Sequence, residues 1–317
     1  MNQLENTMSF RARPLSFRAK SRNLHFTLFT LFLALPLQAQ RTSLVTTSAW
    51  LADHLKDPDL VLLHVGDKAE YEKGHIPGAR FVQMQDVSVS SQDREKGLIL
   101  ELPTADTLRA RLAALGISDN SRIVVYYGND WVSPSTRIML TLDHAGFGAR
   151  SALLDGGMNA WKAEGRETTV DVPAAKTGRL SALKTKPVTV DINYVQRHIA
   201  ASNVKIIDAR AAVFYDGVEM GSSRKGHIPS AKNIPFTEAT DDKLHLKNAA
   251  QLEELFTKAG VGPKDTVIAY CHIGQQGTAV VFAARTLGRT VYLFDGSFQE
   301  WGRRMDLPVE NPADGKK

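Results

Sequence analysis

The chain repeats itself, and the repeat limits its fold more than any other feature. Thr104–Tyr127 (TADTLRARLAALGISDNSRIVVYY) aligns without a gap on Asn248–Cys271 (NAAQLEELFTKAGVGPKDTVIAYC), an offset of 144 residues (271 − 127). Leu108 meets Leu252, Gly116 meets Gly260 and Tyr126 meets Tyr270, and the same offset pairs Trp50 with Tyr194. Gly74-His-Ile-Pro-Gly-Ala79 recurs as Gly226-His-Ile-Pro-Ser-Ala231 after an eight-residue insertion. Asp155-Gly-Gly-Met-Asn-Ala-Trp161 recurs as Asp295-Gly-Ser-Phe-Gln-Glu-Trp301. A duplication on this scale predicts two domains of one fold rather than a single large core.

Each half reads as short β-branched strands alternating with amphipathic helices. The strands are expected at Leu60–Val65 and Ile123–Tyr127, and again at Val204–Ile207 and Val267–Tyr270. Leu252, Leu255, Phe256 and Ala259 keep the i, i+3, i+4, i+7 spacing of a helix with one apolar face. Alternation of this kind predicts an α/β fold: two tandem domains, each a small, mainly parallel sheet flanked by helices. The domains are expected at residues 42–170 and 188–310. The stretch between them, Asp171 to Pro187, is rich in Pro, Ala, Lys and Thr with little apolar period, and reads as a linker.

Residues 1–39 read as a leader outside the fold. Arg11, Arg13, Arg18, Lys20 and Arg22 precede an uncharged apolar run from Phe26 to Leu37, and Leu37-Gln38-Ala39 resembles a small-residue cleavage site. That layout predicts a secretory signal peptide, export to the periplasm, and no stable membrane association after cleavage. Without the leader the chain holds 34 Lys/Arg against 33 Asp/Glu, a formal charge of +1 where the whole chain carries +5. The basic excess is therefore largely the leader's, and the remainder gives no reason to expect a nucleic-acid partner.

Cys271 is the only cysteine among 317 residues. It cannot form an internal disulfide or build a thiolate zinc site, so no metal is expected. It follows the apolar strand Thr266–Tyr270 and opens the loop Cys271-His-Ile-Gly-Gln-Gln-Gly277, before a helical pattern from Thr278 to Leu287. Strand-to-helix turns of an open parallel sheet are where such folds place their ligands. Unpaired backbone N–H groups and a helix start favour the anionic, nucleophilic form of a thiol. Gly274 and Gly277 suit a backbone bent into an anion cradle. The plainer reading is a buried apolar cysteine.

Taken together, Asp208-Ala-Arg210, the Gly-His-Ile-Pro turns, the strand–Cys–loop–helix at 271 and the paired Asp-Gly…Trp segments resemble a tandem rhodanese-domain sulfurtransferase of the thiosulfate or 3-mercaptopyruvate type. The resemblance spans nearly all of residues 42–310. It implies a five-stranded parallel sheet in each domain, a reactive cysteine in the second copy and no cofactor. It also implies a small-molecule sulfur donor and a thiol acceptor, and it is silent on oligomeric state. The catalytic residue is then Cys271, and the substrate-binding residues are expected among Arg210, Arg224, His272, Ile273, Gly274, Gln275, Gln276 and Gly277. Arg210 could fork two hydrogen bonds to a carboxylate or sulfonate, or pair with Asp208 instead. Arg224 offers a second clamp or a solvated surface charge, and His272 meets substrate or solvent. His75 and His227, present in both halves, read as structural. The duplication places Tyr127 opposite Cys271, Gly66 opposite Arg210 and His64 opposite Asp208. The first copy therefore lacks the nucleophile; it is expected to support the second and to wall the cleft through Trp131, Ser133 and Pro134.

The loop matches neither the Cys-Arg-Lys-Gly of thiosulfate-preferring relatives nor the Cys-Gly-Ser-Gly or Cys-Gly-Thr-Gly of mercaptopyruvate-preferring ones. With no Arg or Lys from Cys271 to Gly277, a singly charged donor held by Arg210 is expected to outdo thiosulfate. Cysteine phosphatases that resemble this domain need Cys-x5-Arg, and the position in question is Gly277. The remaining alternative is a non-catalytic exported module that carries sulfur or binds a partner.

Overall fold

The computed structural model describes residues 43–316 apart from 94, 96, 129–131 and 175, so the leader and Trp131 lie outside the described residues. The first half runs β1 (Val45–Thr46), α1 (Ser48–His54), β2 (Leu60–Val65), α2 (Lys68–Lys73), β3 (Arg80–Val82), α3 (Met84–Val87), α4 (Ala105–Ala114), β4 (Arg122–Tyr127), α5 (Ser133–His144), β5 (Ser151–Leu154) and α6 (Gly157–Ala163). The second runs β6 (Thr189–Val190), α7 (Ile192–His198), β7 (Val204–Asp208), α8 (Ala212–Tyr215), β8 (Lys232–Asn233), α9 (Ala249–Lys258), β9 (Thr266–Tyr270), α10 (Gly277–Thr286), β10 (Val291–Phe294) and α11 (Ser297–Arg303). All strand pairs are parallel, and the two five-stranded sheets have one topology: β1-β5-β4-β2-β3 and β6-β10-β9-β7-β8.

The central strands β4 and β9 are apolar after their first residue because helices cover both faces of each sheet. In the second sheet the chain moves outward from β7 to β8, then returns to β9 and continues the other way to β10. The crevice beyond the carboxyl ends of β7 and β9 is thus the topological switch point. Asp208 ends β7 and Cys271 follows β9, so both border that crevice. The outer faces of the sheets keep separate cores, around Leu51, Trp161 and Tyr126 in the first and Val195, Trp301 and Tyr270 in the second. The inner faces merge into one core in which Val65, Ile138, Ala279 and Cys271 belong to a single buried cluster. Helices α5 and α10, buried along nearly their whole length, lie in that shared layer.

The segment after the first domain is a strap rather than a free tether. Its described residues from 171 to 187 form no helix or strand. They are tied to the first domain by Gly178 N–H to Ala113 O (2.8 Å), Arg179 N–H to Ser118 Oγ (3.0 Å) and Lys186 N–H to His144 O (2.8 Å). The two Gly-His-Ile-Pro histidines hold turns: His75 stacks on Tyr71 and His227 on Tyr215, each with ring centroids 3.8 Å apart.

His64 shows how the first copy has diverged. It occupies the strand-end position that Asp208 fills in the second, inside a cage of Tyr71, Phe81 and Tyr126, and neither ring nitrogen has a described hydrogen-bond partner. Burial, reinforced by His75, holds its pKa down to about 4. The folded state therefore binds fewer protons than the unfolded state between about 4 and 6.5, and stability is lost as pH falls through that window. Across that window the loss amounts to about 3 kcal/mol. His64→Phe is expected to reduce the dependence of unfolding free energy on pH between 6.5 and 4, read by urea titration, with the remainder left to His272, which burial also holds down to about 4. An unchanged slope would remove His64 as a contributor.

Candidate active site

Cys271 emerges from the middle of the second sheet with its side chain fully buried. Its backbone is locked by the start of α11: Cys271 N–H donates to Ser297 Oγ (3.2 Å), and Phe298 N–H donates to Cys271 O (3.0 Å). The next carbonyl, His272 O, accepts from Gln299 N–H at 2.9 Å. Gly274 O accepts from Arg137 Nη1 at 3.0 Å, and Gln275 O and Gln276 O accept from Thr278 and Ala279 N–H at 3.1 and 3.0 Å. All the loop's carbonyls but that of Ile273 thus have a described donor. No described group accepts from the backbone N–H of residues 272–276. A trans peptide unit is planar, with its N–H opposite its C=O. Tying back the carbonyls of Cys271, His272 and Gly274 therefore turns the N–H groups of His272, Ile273 and Gln275 to the other side. The result is a nest of unspent donors beside a thiol, the form of an anion site.

Two glycines permit this bend. Gly274 has φ +79°, and a Cβ there would sit 2.6 Å from Asp295 O and 3.2 Å from Arg137 Nη1. A Cβ on Gly277 would sit 3.0 Å from Leu293 Cδ1 and 3.2 Å from the Tyr270 carbonyl carbon, so glycine lets α10 start close to the sheet without displacing its neighbours.

Both expected arginine clamps are engaged within the protein itself. Arg210, 1% exposed, forks onto Asp208 through Nε (2.9 Å) and Nη2 and donates through Nη2 to Gly226 O (2.8 Å), while Tyr270 Oη donates to the same carboxylate (2.7 Å). Phe298 stacks under the guanidinium, 4.1 Å from ring centre to Cζ. With its fork on a carboxylate two residues away and Nη2 on Gly226 O, Arg210 ties β7 to the Gly-His-Ile-Pro turn. Arg224 closes the end of α11, donating to the carbonyls of Trp301, Gly302, Arg304 and Leu307. A helix end presents unpaired carbonyls, and Arg224 takes them.

The loop side chains divide by environment. His272 is half-buried, edge-on to Phe214 with ring centroids 4.7 Å apart, and covered by Gly221, whose Cβ position lies 2.1 Å from His272 Cε1. Burial, then the Arg210 charge, lowers its pKa to about 4, so the ring is neutral at neutral pH. Its Nδ1 and the Gln276 Oε1 are buried without a described partner. Gln275 turns toward the first domain, where Nε2 donates to Ser133 Oγ (3.1 Å); Ile273 is half-buried. Ser133 and Pro134 begin α5, and Ser133 meets the loop directly. Among the described residues no group of three or more His, Cys, Asp or Glu side chains is placed to hold a metal ion.

Two site residues went unrecognised in the sequence. Arg137 enters from the first domain. Ser297, buried and at φ +52°, accepts from Cys271 N–H and donates to Phe294 O (2.9 Å). That backbone costs a serine on the order of 1–2 kcal/mol. The first copy has Gly157 at φ +54° here, and a Cβ on it would fall 2.6 Å from the Tyr127 ring. The two copies trade volume: small Cys271 with Ser297, large Tyr127 with Gly157. A signal for Ser297 was the single change from Asp155-Gly-Gly to Asp295-Gly-Ser. Ser297→Gly should relieve strain and lose the hydroxyl, leaving the melting temperature nearly unchanged while alkylation of Cys271 by iodoacetamide slows by about tenfold. A lower melting temperature with unaltered alkylation would assign Ser297 to stability alone.

Comparison with known proteins places this architecture. The model of the rhodanese-like domain matches residues 47–164 and again 191–304. The chain is 30% identical over 270 residues to the thiosulfate sulfurtransferase of Pseudomonas aeruginosa, covering 84% of this chain and 97% of that one. It is 30% identical over 280 residues to the 3-mercaptopyruvate sulfurtransferase of Escherichia coli K12, covering 82% and 95%. The crystal structure of SseA from Escherichia coli, described as a 3-mercaptopyruvate sulfotransferase, superposes with a TM-score of 0.70 at 27% identity, over 81% of this chain and 99% of that one. EanB bound to ergothioneine superposes with a TM-score of 0.75 over 86% of this chain and 71% of that one; at 20% identity this likeness shows the fold alone. Two copies of one domain, a parallel five-stranded sheet in each and this run of relatives lead to one conclusion: the chain belongs to the rhodanese family, as a tandem-domain sulfurtransferase related to the thiosulfate and 3-mercaptopyruvate enzymes.

Proposed function

We propose that the protein moves a sulfane sulfur from a small donor to a thiol or cyanide acceptor through a persulfide on Cys271. The observation that carries this reading is the lone thiol at the switch point beside a loop whose carbonyls are all but one engaged and whose amides are unspent. In the first displacement the Cys271 thiolate attacks the donor's outer sulfur, and the sulfur's bond to the rest of the donor breaks. Thiosulfate leaves as sulfite; mercaptopyruvate leaves as the pyruvate enolate, which takes a proton. The loop amides hold the negative outer sulfur as an oxyanion hole holds oxygen. The acceptor then attacks that sulfur, and Cys271 returns as thiolate. Tyr127 at the matching position supports a first copy without thiol chemistry.

The surroundings favour a donor of low charge. Arg210, Arg224 and Arg137 are engaged by carboxylates or carbonyls, and His272 is neutral. Thiosulfate brings two charges close to its transferable sulfur, where no free cation answers them among the described residues. Mercaptopyruvate or another singly charged thiol donor fits better, bound through loop amides rather than through Arg210. Export to the periplasm is part of the proposal and rests only on the basic and apolar residues of the leader.

Cys271→Ser should abolish both turnover and the mass increase of one sulfur atom after donor treatment, with circular dichroism unchanged. The wild type should show a specificity constant several-fold higher for mercaptopyruvate than for thiosulfate. A relative from Thermus thermophilus is the sulfur carrier protein TtuD, 27% identical over 283 residues. Repeated turnover with cyanide or a small thiol separates an enzyme from a carrier, which would stop after one sulfur. Transfer by Cys271→Ser, or a clear preference for thiosulfate, would contradict the corresponding part of the proposal.

A further inference from the structure

Arg137 belongs to the first domain, yet it lies in the wall of the second domain's reactive loop. Its side chain is fully buried. Nη1 donates to Gly274 O (3.0 Å) and Asp295 Oδ1, and Nη2 donates to Leu100 O. Asp295 in turn accepts from Leu102 N–H at 3.2 Å. One guanidinium thus joins the reactive loop, the turn after β10 and a first-domain segment that ends at Leu102. The duplication gives no counterpart: residue 281, opposite Arg137 at the offset of 144, is Val281.

Other contacts across this interface are of a different kind. The hydroxyls of Thr136 and Thr278 meet at 2.8 Å, and Arg285 pairs with Asp143 at 3.2 Å at the far ends of α5 and α10. These hold helix to helix. Arg137 alone among the described residues of the first domain takes hold of a carbonyl between Cys271 and Gly277. Gly274 is free to rotate, because glycine tolerates both signs of φ. Without a donor on its carbonyl, the peptide unit joining Gly274 to Gln275 can flip, and the Gln275 N–H turns out of the nest.

We propose that Arg137 is a positioning residue for sulfur transfer: the non-reactive copy completes the reactive loop by fixing the Gly274–Gln275 peptide, and the second domain's nest is incomplete without it. The inference rests on the Cys271 reading above and deepens it. Arg137 touches no reacting atom; it acts through the orientation of one amide. Lysine can reach one acceptor but cannot serve Gly274 O, Asp295 and Leu100 O at once.

The test compares full-length Arg137→Met, Arg137→Lys, the pair replacement Arg137→Met with Asp295→Asn, and Arg285→Met, with Cys271→Ser in parallel. Removing Arg137 alone strands a buried carboxylate and can cost the fold, which is why the pair replacement and the lysine variant are included. Readouts are single-turnover persulfide formation with mercaptopyruvate, the kcat and KM split, the pH profile of Cys271 alkylation, and melting temperature. Loss of one preorganised donor predicts a fall of about 100-fold in the first-step rate for the folded pair replacement, with KM changing little. Alkylation of Cys271 should slow along with the first step, and Arg137→Lys should recover part of both rates. Arg285→Met should lower the melting temperature and leave the rate per folded molecule unchanged. A folded Arg137 variant within about threefold of wild type, or losses that track the unfolded fraction alone, would overturn the assignment. If those variants remain fast while Cys271→Ser is dead, only Arg137's role falls; transfer by Cys271→Ser removes the parent reading as well.

Discussion

The side-by-side packing of α5 on α10 is the contact on which the rest of the molecule depends. Both helices are buried on almost every face, so neither could stand in water at the surface of a separated domain. Their alignment is set by polar pairs at each end, Ser133 and Thr136 against Gln275 and Thr278, and Asp143 against Arg285. Between those pairs the aliphatic faces merge into one core that reaches Cys271. Because α10 begins at the reactive loop, the pairs at its first turn, Gln275 with Ser133 and Thr278 with Thr136, also bear on the loop, whereas Asp143 with Arg285 at the far end serves the helix packing alone. The two domains are thus one mechanical unit at the place where chemistry is expected.

Duplication let the two copies specialise. The second kept a small residue at the end of its central strand and accepted backbone strain at Ser297 to lock it. The first filled the same space with Tyr127, whose hydroxyl donates to Leu244 O at 2.6 Å and thereby holds the other domain. Where the second copy keeps an Asp208–Arg210 pair under Tyr270, the first has His64 and Gly66. Freed from reactivity, the first copy could place a guanidinium against its partner's loop. The exchange of contacts is reciprocal: Leu246 N–H donates to Asp155 (2.8 Å) while Leu102 N–H donates to Asp295 (3.2 Å).

Much of this was legible in the residues. The strand Leu60–Val65 begins with the aliphatic run and closes at Gly66, because burial on both faces demands such a run; His64 is the one polar residue within it. The loop after Tyr270 was readable because its glycines match a bend that other residues cannot make. What stayed hidden depends on distances that spacing does not encode. Arg210 reads equally well as a free fork or as half of an ion pair, and only the fold shows Asp208 against it. Arg224 lies in an insertion with no periodicity, and its partners are carbonyls about eighty residues away. Arg137 sits in a helix of the copy that carries no nucleophile, and nothing local says that its side chain crosses the interface. The strain at Ser297 is a φ value, visible in sequence only as a glycine that the second copy does not keep.

If two domains shape one loop whose amides receive a sulfur anion, a crystal structure of the protein after exposure to mercaptopyruvate should show it. Electron density for a second sulfur is expected on Cys271 Sγ, within about 3.5 Å of the N–H nitrogens of His272, Ile273 or Gln275, with Arg137 still on Gly274 O. A persulfide pointing away from those amides, or a loop that rearranges and releases Arg137 when sulfur binds, would contradict it.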